Sequence, residues 1–391
     1  MTQTEKIKVL FRHRSMEMGG VEKVMLSIIN NLNSEKFDIT VCLNINQGEL
    51  RDEIPTHVRK VFLVEGKEDF SQNFLIKKIQ LIKRKIKLDF LRKNPQIIDE
   101  KYLGDKYDVE IAMTYNDFES VLNSSNKKSK KIGWFHSEIN VLKIKSLVVG
   151  ILNHFPQFDH MIYCSANIKE MMHKEYPSLN YPQESVIINA IPIDEIKNKA
   201  KTEVNDFHFK EPVFVSVGRL HTRKGFHKLI QAHSRLIKDG YNHTIIIIGE
   251  GEERVNLEKL IESLDVSKSV YLLGNKMNPY PYINMSNFLI LPSQSEAWPL
   301  VIAEALILQK PIIATSTGDI PKMIEHTRTG LLINYTVQEM YDAMKKFLNN
   351  EDGIVDVISE NLLKIEEKFD NKKIFDTVEE IIINLVKNKN S

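Results

Sequence analysis

The chain has 391 residues, too long for one ordinary core and suited to two domains of about 150–200 residues each. Lys and Arg (53) nearly balance Asp and Glu (52), so the net charge of +1 excludes a global polyelectrolyte partner, while 42% apolar and 27% charged residues fit a soluble globular protein. Cys42 and Cys164 stand among apolar neighbours, which excludes a disulfide framework or cysteine metal cluster and fits a reducing cytosol.

The polar start, Thr2 to Lys8, predicts no secretory leader, and no apolar run approaches the ~18 residues of a bilayer span. Lys6 to Arg12 reads as a strand. Gly19-Gly20 follows, then a helical pattern over Val21 to Leu32 with Val24, Met25, Ile28 and Ile29 on one face. Phe37–Leu43, Val109–Met113, Lys131–Phe135, His160–Cys164 and Ser185–Asn189 read as further strands with helices or loops between them. Phe74 to Lys93 carries eight Lys/Arg and one acid, with Leu75, Ile79, Ile82, Ile86 and Phe90 at helical spacing. Such a helix suits an anionic membrane, although an ordinary helix with a solvated basic face has the same pattern.

The charged stretch Lys197 to Pro212 reads as a linker. Beyond it Val213–Val217, Thr244–Ile248, Ser269–Leu272, Phe288–Leu291 and Pro311–Ala314 are short apolar runs, each followed by a turn and a helical pattern. Continuous apolar strands suit a sheet buried on both faces. The expected fold is α/β, with two Rossmann-like doubly wound parallel-sheet domains facing a central cleft. The expected domains are 1–200, 201–372 and a C-terminal helix, 373–391, free to pack on either half.

Four stretches carry candidate chemistry. Val217 to Gly225 follows a strand and holds Gly218, Arg219 and Lys224. Arg219 offers a planar fork for phosphate oxygens, Lys224 a point charge near the next helix, and Gly218 freedom for a tight turn. Glu296 and Glu304 lie eight residues apart across a strand-helix junction. Amides around Pro299, Leu300 and Val301 open that helix and suit phosphate. An acid in so apolar a helix as Glu304's ordinarily has a partner, here a pair of ribose hydroxyls, whereas Glu296 suits hexose hydroxyls. Gly20 lets backbone approach a ligand, and His136, directly after a strand, points to the ligand side of such a sheet. A solvated basic turn, a surface acid and a structural histidine are the bland counterparts. No Asp-x-Asp and no metal-ligand spacing occurs, so no metal and no cofactor is expected, and nothing suggests nucleic acid.

The second half resembles the retaining glycosyltransferases of family 4, which share the GT-B fold. The resemblance rests on Val217–Gly225, Ile245–Gly251, Tyr271–Gly274, Leu291–Ala305 and Pro311–Thr315 running on to Gly318 and Gly330. Gly19-Gly20-Val21-Glu22, His136 and Val186–Ala190 match the family's first half less specifically. It implies a nucleotide-sugar donor, UDP-linked by family frequency. Arg219 and Lys224 would hold the diphosphate, Glu304 the ribose and Glu296 the transferred sugar. Gly274 and Asn275 would meet the base, Gly20 would close over the phosphates and His136 would contact the sugar. Ala297 stands where the family usually has Gly, and Ala190-Ile191-Pro192 replaces a commoner Gly-Ile-Asp.

The expected function is metal-independent, retaining transfer of a hexose or N-acetylhexosamine to a glycan or lipid-linked acceptor in surface polysaccharide, capsule or lipopolysaccharide synthesis. The expected location is cytoplasmic, with residues 74–93 on the inner membrane face. Another GT-B activity, such as a nucleotide-sugar epimerase or a soluble-acceptor transferase, and a non-catalytic nucleotide-sugar-binding scaffold are the alternatives. The four charged site residues argue against the scaffold.

Overall fold

The computed structural model describes residues 5–136, 139, 145–204 and 212–388. Residues 205–211 of the expected linker lie outside the described residues. The chain forms two compact units, Met1–Ala190 with Asn371–Ser391, and Ile191–Asp370.

Among the described residues the first unit contains seven parallel strands: β1 (Ile7–His13), β2 (Phe37–Asn46), β3 (Arg59–Glu65), β4 (Val109–Ala112), β5 (Lys130–Phe135), β6 (His160–Tyr163) and β7 (Gln183–Val186). Their spatial order is β3-β2-β1-β4-β5-β6-β7. The described residues of the second unit form six: β8 (Val213–Val217), β9 (Thr244–Ile248), β10 (Val270–Leu272), β11 (Phe288–Leu291), β12 (Ile312–Thr315) and β13 (Gly330–Ile333), in the order β10-β9-β8-β11-β12-β13. These pairs are parallel too. Both orders are doubly wound, and the winding direction reverses between β1 and β4 and between β8 and β11. Ligands of open α/β sheets bind outside the carboxyl ends of the strands at such a switch point.

The strands form where the sequence is apolar on both faces. β9, Thr-Ile-Ile-Ile-Ile, is buried throughout, as a strand covered by helices on both sides must be. Helix Phe226–Lys238 turns Phe226, Leu229, Ile230, His233 and Leu236 inward, a 3.6-residue stripe. Helix Leu300–Ile307 is buried from Val301 onward. Glu304 sits inside that apolar run.

Several boundaries differ from expectation. The first unit ends at Ala190, ten residues before the expected boundary, because Ile191, Ile196 and Ala200 join the hydrophobic core of the second unit. Residues 193–199 are helical, so Lys197 to Lys199 of the expected linker belong to a helix. β7 starts at Gln183 rather than Ser185, since its ladder with β6 runs from His160↔Gln183 to Tyr163↔Val186. β3 and β13 are strands absent from the sequence reading. The last helix, Asn371–Lys387, belongs to the first unit: Val378, Ile382 and Leu385 are buried, and Glu379 accepts hydrogen bonds from the Asn33 amide (2.9 Å) and Lys36 Nζ (2.8 Å).

Helix Phe74–Lys93 is inverted relative to an ordinary amphipathic helix. Its inner face is Lys77, Gln80, Arg84, Leu88 and Leu91, and only Leu91 is buried. Leu75 (68% exposed), Ile79, Ile82, Ile86 (63%) and Phe90 form a continuous apolar stripe facing away from the unit. Asn73 caps its start, accepting from the Leu75 and Ile76 amides.

Candidate active site

The second unit gathers loops from adjacent strand ends. β8 and β11 are neighbours, so the loop after β8 meets the loop after β11 at the switch point. The Gln294 amide donates to the Arg223 carbonyl (2.7 Å), and Arg223 Nη1 donates to the Ser295 carbonyl (3.3 Å). The same approach brings Lys224 Nζ to 2.5 Å from Glu296 Oε1. Ser293 Oγ donates to that oxygen at 2.6 Å. Both partners are largely buried, with side chains 13% and 8% exposed. Burial opposes the charge of Glu296, yet Lys224 and then Arg223 outweigh it and hold its pKa below the usual carboxylate value. The pair is a tertiary contact across 72 residues, and the two groups assigned separately to phosphate and sugar are one ion pair.

The loop after β12 supports this arrangement from the other side. Gly318 has φ +57°, and a Cβ there would stand 1.7 Å from the Glu296 carbonyl oxygen, so no side chain fits. The Asp319 amide donates to the Ala297 carbonyl (2.9 Å), and Thr315 Oγ1 donates to the Ser293 carbonyl.

Pro299 caps helix Leu300–Ile307 without a side-chain hydrogen bond. The Leu300 and Val301 amides, as first-turn donors, have no acceptor within the helix and carry its partial positive charge. Glu304, 4% exposed, accepts from Tyr280 Oη at 3.3 Å. Burial and then the Glu304 charge push the Tyr280 phenol up, so it is a donor across the ordinary pH range.

Arg219 is exposed beside this ensemble and makes no ion pair among the described residues. Gly218, whose amide donates to the Ile248 carbonyl, is not left-handed as its expected freedom implied. Positive φ falls instead at Gly225, Gly249 and Gly274. Gly274 comes alongside because its carbonyl accepts from the Gly249 amide (2.9 Å), while the Leu220 amide donates to the Glu250 carbonyl (2.9 Å). Asn275 follows it, exposed. The strand ends of β8, β9, β10 and β11 thus place Gly218, Arg219, Lys224, Gly274, Asn275, Glu296, Pro299, Leu300, Val301 and Glu304 on the carboxyl edge of one sheet.

Gly20 and His136 belong to the first unit and are not part of that edge. Gly20 begins helix Gly20–Asn31. His136 directly follows β5, stacked on Trp134 with ring centroids 5.8 Å apart. Its Nε2 has no hydrogen-bond partner among the described residues. Burial, then the His13 charge, lowers its pKa to about 3, so the ring is neutral at physiological pH.

Sequence reasoning passed over Ser293, Arg223 and Tyr280 here. Arg223 was visible as a third cation in the 218–225 stretch. Ser293 and Tyr280 carry no signal until the fold brings them to Glu296 and Glu304.

Residues 197–364 match the family model "Glycosyl transferases group 1". A glycosyltransferase of Methanocaldococcus jannaschii is 28% identical over 184 residues, 46% of this chain, and the match spans only 45% of that protein. The N-acetylgalactosamine-N,N'-diacetylbacillosaminyl-diphospho-undecaprenol 4-alpha-N-acetylgalactosaminyltransferase of Campylobacter jejuni is 26% identical over 366 residues, covering 92% of this chain and 95% of its own. The crystal structure of Anabaena HepE in complex with UDP-glucose superposes with a TM-score of 0.74 at 18% identity, over 97% of this chain and 100% of that one. The last likeness establishes the GT-B fold, and residues 197–364 are similar to the group 1 glycosyl transferases.

Proposed function

We propose that the protein is a retaining glycosyltransferase of family 4 that moves a hexose or N-acetylhexosamine from a UDP-sugar to a glycan or lipid-linked acceptor in surface polysaccharide or lipopolysaccharide synthesis. The observation that carries this reading is the Lys224–Glu296 pair at the β8/β11 switch point, with Arg219 exposed beside it and the Leu300 helix start next in the chain. One edge then offers cations and amides for a diphosphate and carboxylates for sugar hydroxyls.

Cleaving the bond from sugar to diphosphate builds negative charge on the leaving oxygen. Arg219, Lys224 and the Leu300 and Val301 amides stabilise that charge, and in this reading they do so without a metal. Pairing with Glu296 fixes Lys224 in place before the donor arrives, so little reorganisation is needed. Glu296 turns its remaining acceptor capacity toward a hexose hydroxyl, and Glu304, with Tyr280 behind it, grips the ribose. Gly274 and Asn275 meet the base. His136, neutral, donates or accepts a hydrogen bond at the transferred sugar, and Gly20 contributes backbone to the phosphates. The acceptor attacks the face the leaving group departs from, and the leaving phosphate takes its proton.

A panel of nucleotide sugars tests this: a UDP-sugar raises the melting temperature and is slowly hydrolysed, and Arg219→Ala lowers the turnover by about 10²–10³. Retained binding without turnover of any nucleotide sugar would instead favour a scaffold.

The inverted helix Phe74–Lys93 supports docking on an anionic membrane. Its apolar stripe is flanked by Lys78 and Lys85 on one side and Lys83 and Lys87 on the other, which suits insertion among acidic headgroups. Among the described residues no helix is long and apolar enough to cross a membrane. The protein should co-sediment with anionic liposomes, and changing Lys83, Arg84 and Lys85 to Glu should abolish this. Unchanged binding would refute the docking.

A further inference from the structure

In the first unit, three elements meet around His13, the last residue of β1. His13 Nδ1 lies 2.9 Å from Asp117 Oδ2, and Asp117 is fully buried and also accepts Thr114 Oγ1 at 2.7 Å. His13 Nε2 lies 3.3 Å from Glu22 Oε1. Glu22 sits in the first turn of helix Gly20–Asn31. Both ring nitrogens therefore face carboxylates, and a doubly protonated ring donates to both. Burial opposes that charge, but Asp117 and then Glu22 outweigh it and raise the His13 pKa to about 10.

Gly19 makes room for the arrangement. Its backbone is extended (φ −154°), so conformational freedom is not the reason for a glycine. A Cβ there would lie 2.3 Å from Glu22 Oε2, so the Glu22 carboxylate occupies the space a side chain would take. No side-chain hydrogen bond caps this helix, and its first amides have no acceptor within it.

We infer that His13 is a positioning residue: backed by Asp117, it latches Glu22 and thereby sets the Gly19–Gly20 turn and the first amides of helix Gly20–Asn31 for the donor. This rests on the reading of Gly20 as a donor contact. The latch ties the helix start to both strands that flank the switch point, β1 directly and β4 through Asp117.

Donor KM and kcat of the full chain, with imidazole 15N shifts of His13, test it. Glu22→Gln and Gly19→Ala should each raise donor KM about tenfold, equivalent to about 1.4 kcal/mol, with a smaller change in kcat. The double variant should be no worse than the stronger single one, because both release the same carboxylate. A purely structural role would lower the melting temperature and leave KM alone. Wild-type KM in either variant, or multiplying effects, overturns the positioning role. At pH 8 both His13 nitrogens should carry protons. A singly protonated ring refutes the latch whether or not a donor is turned over. A doubly protonated ring in a protein that turns over no nucleotide sugar leaves the latch standing but overturns the donor reading, and with it the positioning role.

Discussion

Replacing Lys224 with Met strands a buried carboxylate. Glu296 loses its nearest cation at 2.5 Å, while Ser293 at 2.6 Å and the charge of Arg223 remain. Removing one partner of a buried ion pair costs about 3–5 kcal/mol, and the surviving support puts this case at about 3 kcal/mol. A domain of roughly 150–250 residues loses about 2–4 °C per kcal/mol, so the melting transition of the second unit should fall by about 6–12 °C. Glu296→Gln in the same background removes the stranded charge and should recover most of the loss, giving a coupling energy of about 2 kcal/mol. Calorimetry of the wild type, both single variants and the double variant completes the cycle. A Lys224→Met protein that melts with the wild type, or purely additive effects, would refute the buried pair.

Three further outcomes follow from the geometry. Arg219→Ala should lower turnover by about 10²–10³ with little change in melting temperature, because the side chain is exposed and makes no ion pair among the described residues; a steady-state assay beside a melt separates the two. Tyr280→Phe removes the 3.3 Å hydrogen bond to Glu304 and should raise the donor KM, with titration calorimetry against the nucleotide sugar as the check; unchanged affinity would detach Glu304 from the ribose. His233 and His243 lie buried with their rings hydrogen-bonded at 2.8 Å. Burial, and for His233 the neighbouring His243 as well, lowers their pKa to about 3 and about 4. Unfolded, both protonate near 6.5, so the unfolded chain takes up protons first. Stability should therefore fall as pH drops from about 6.5 toward 4, by about 1.4 kcal/mol per pH unit for each histidine. Equal urea midpoints at pH 7 and pH 5 would contradict this.

The sheets were legible because a strand buried on both faces leaves a continuous apolar run, as in Thr244–Ile248. β3 escaped because Arg59, Lys60 and Glu65 bracket its apolar centre, as befits a strand at the edge of its sheet. β13 starts at Gly330, a residue depleted in strands. Residue types and strand ends marked Arg219, Lys224, Glu296 and Glu304 individually. Their pairing was not legible, since only the adjacency of β8 and β11 closes the 72 residues between Lys224 and Glu296. His13 carried no local signal, because Asp117 reaches it through the β1–β4 pairing, 104 residues away. For residues 74–93 the sequence shows the apolar period but not its direction, and only burial reveals that the stripe faces outward.

The most direct test is thermal unfolding of the wild type and of Arg219→Ala and Glu304→Gln with a panel of nucleotide sugars. A ligand that binds only the native state at 100 times its Kd stabilises by about 2.7 kcal/mol, a readily measured shift. The switch-point site predicts protection of the wild type by a UDP-sugar and weaker protection of both variants. Equal protection of all three would place the donor elsewhere, and a panel that protects none would contradict the nucleotide-sugar site itself.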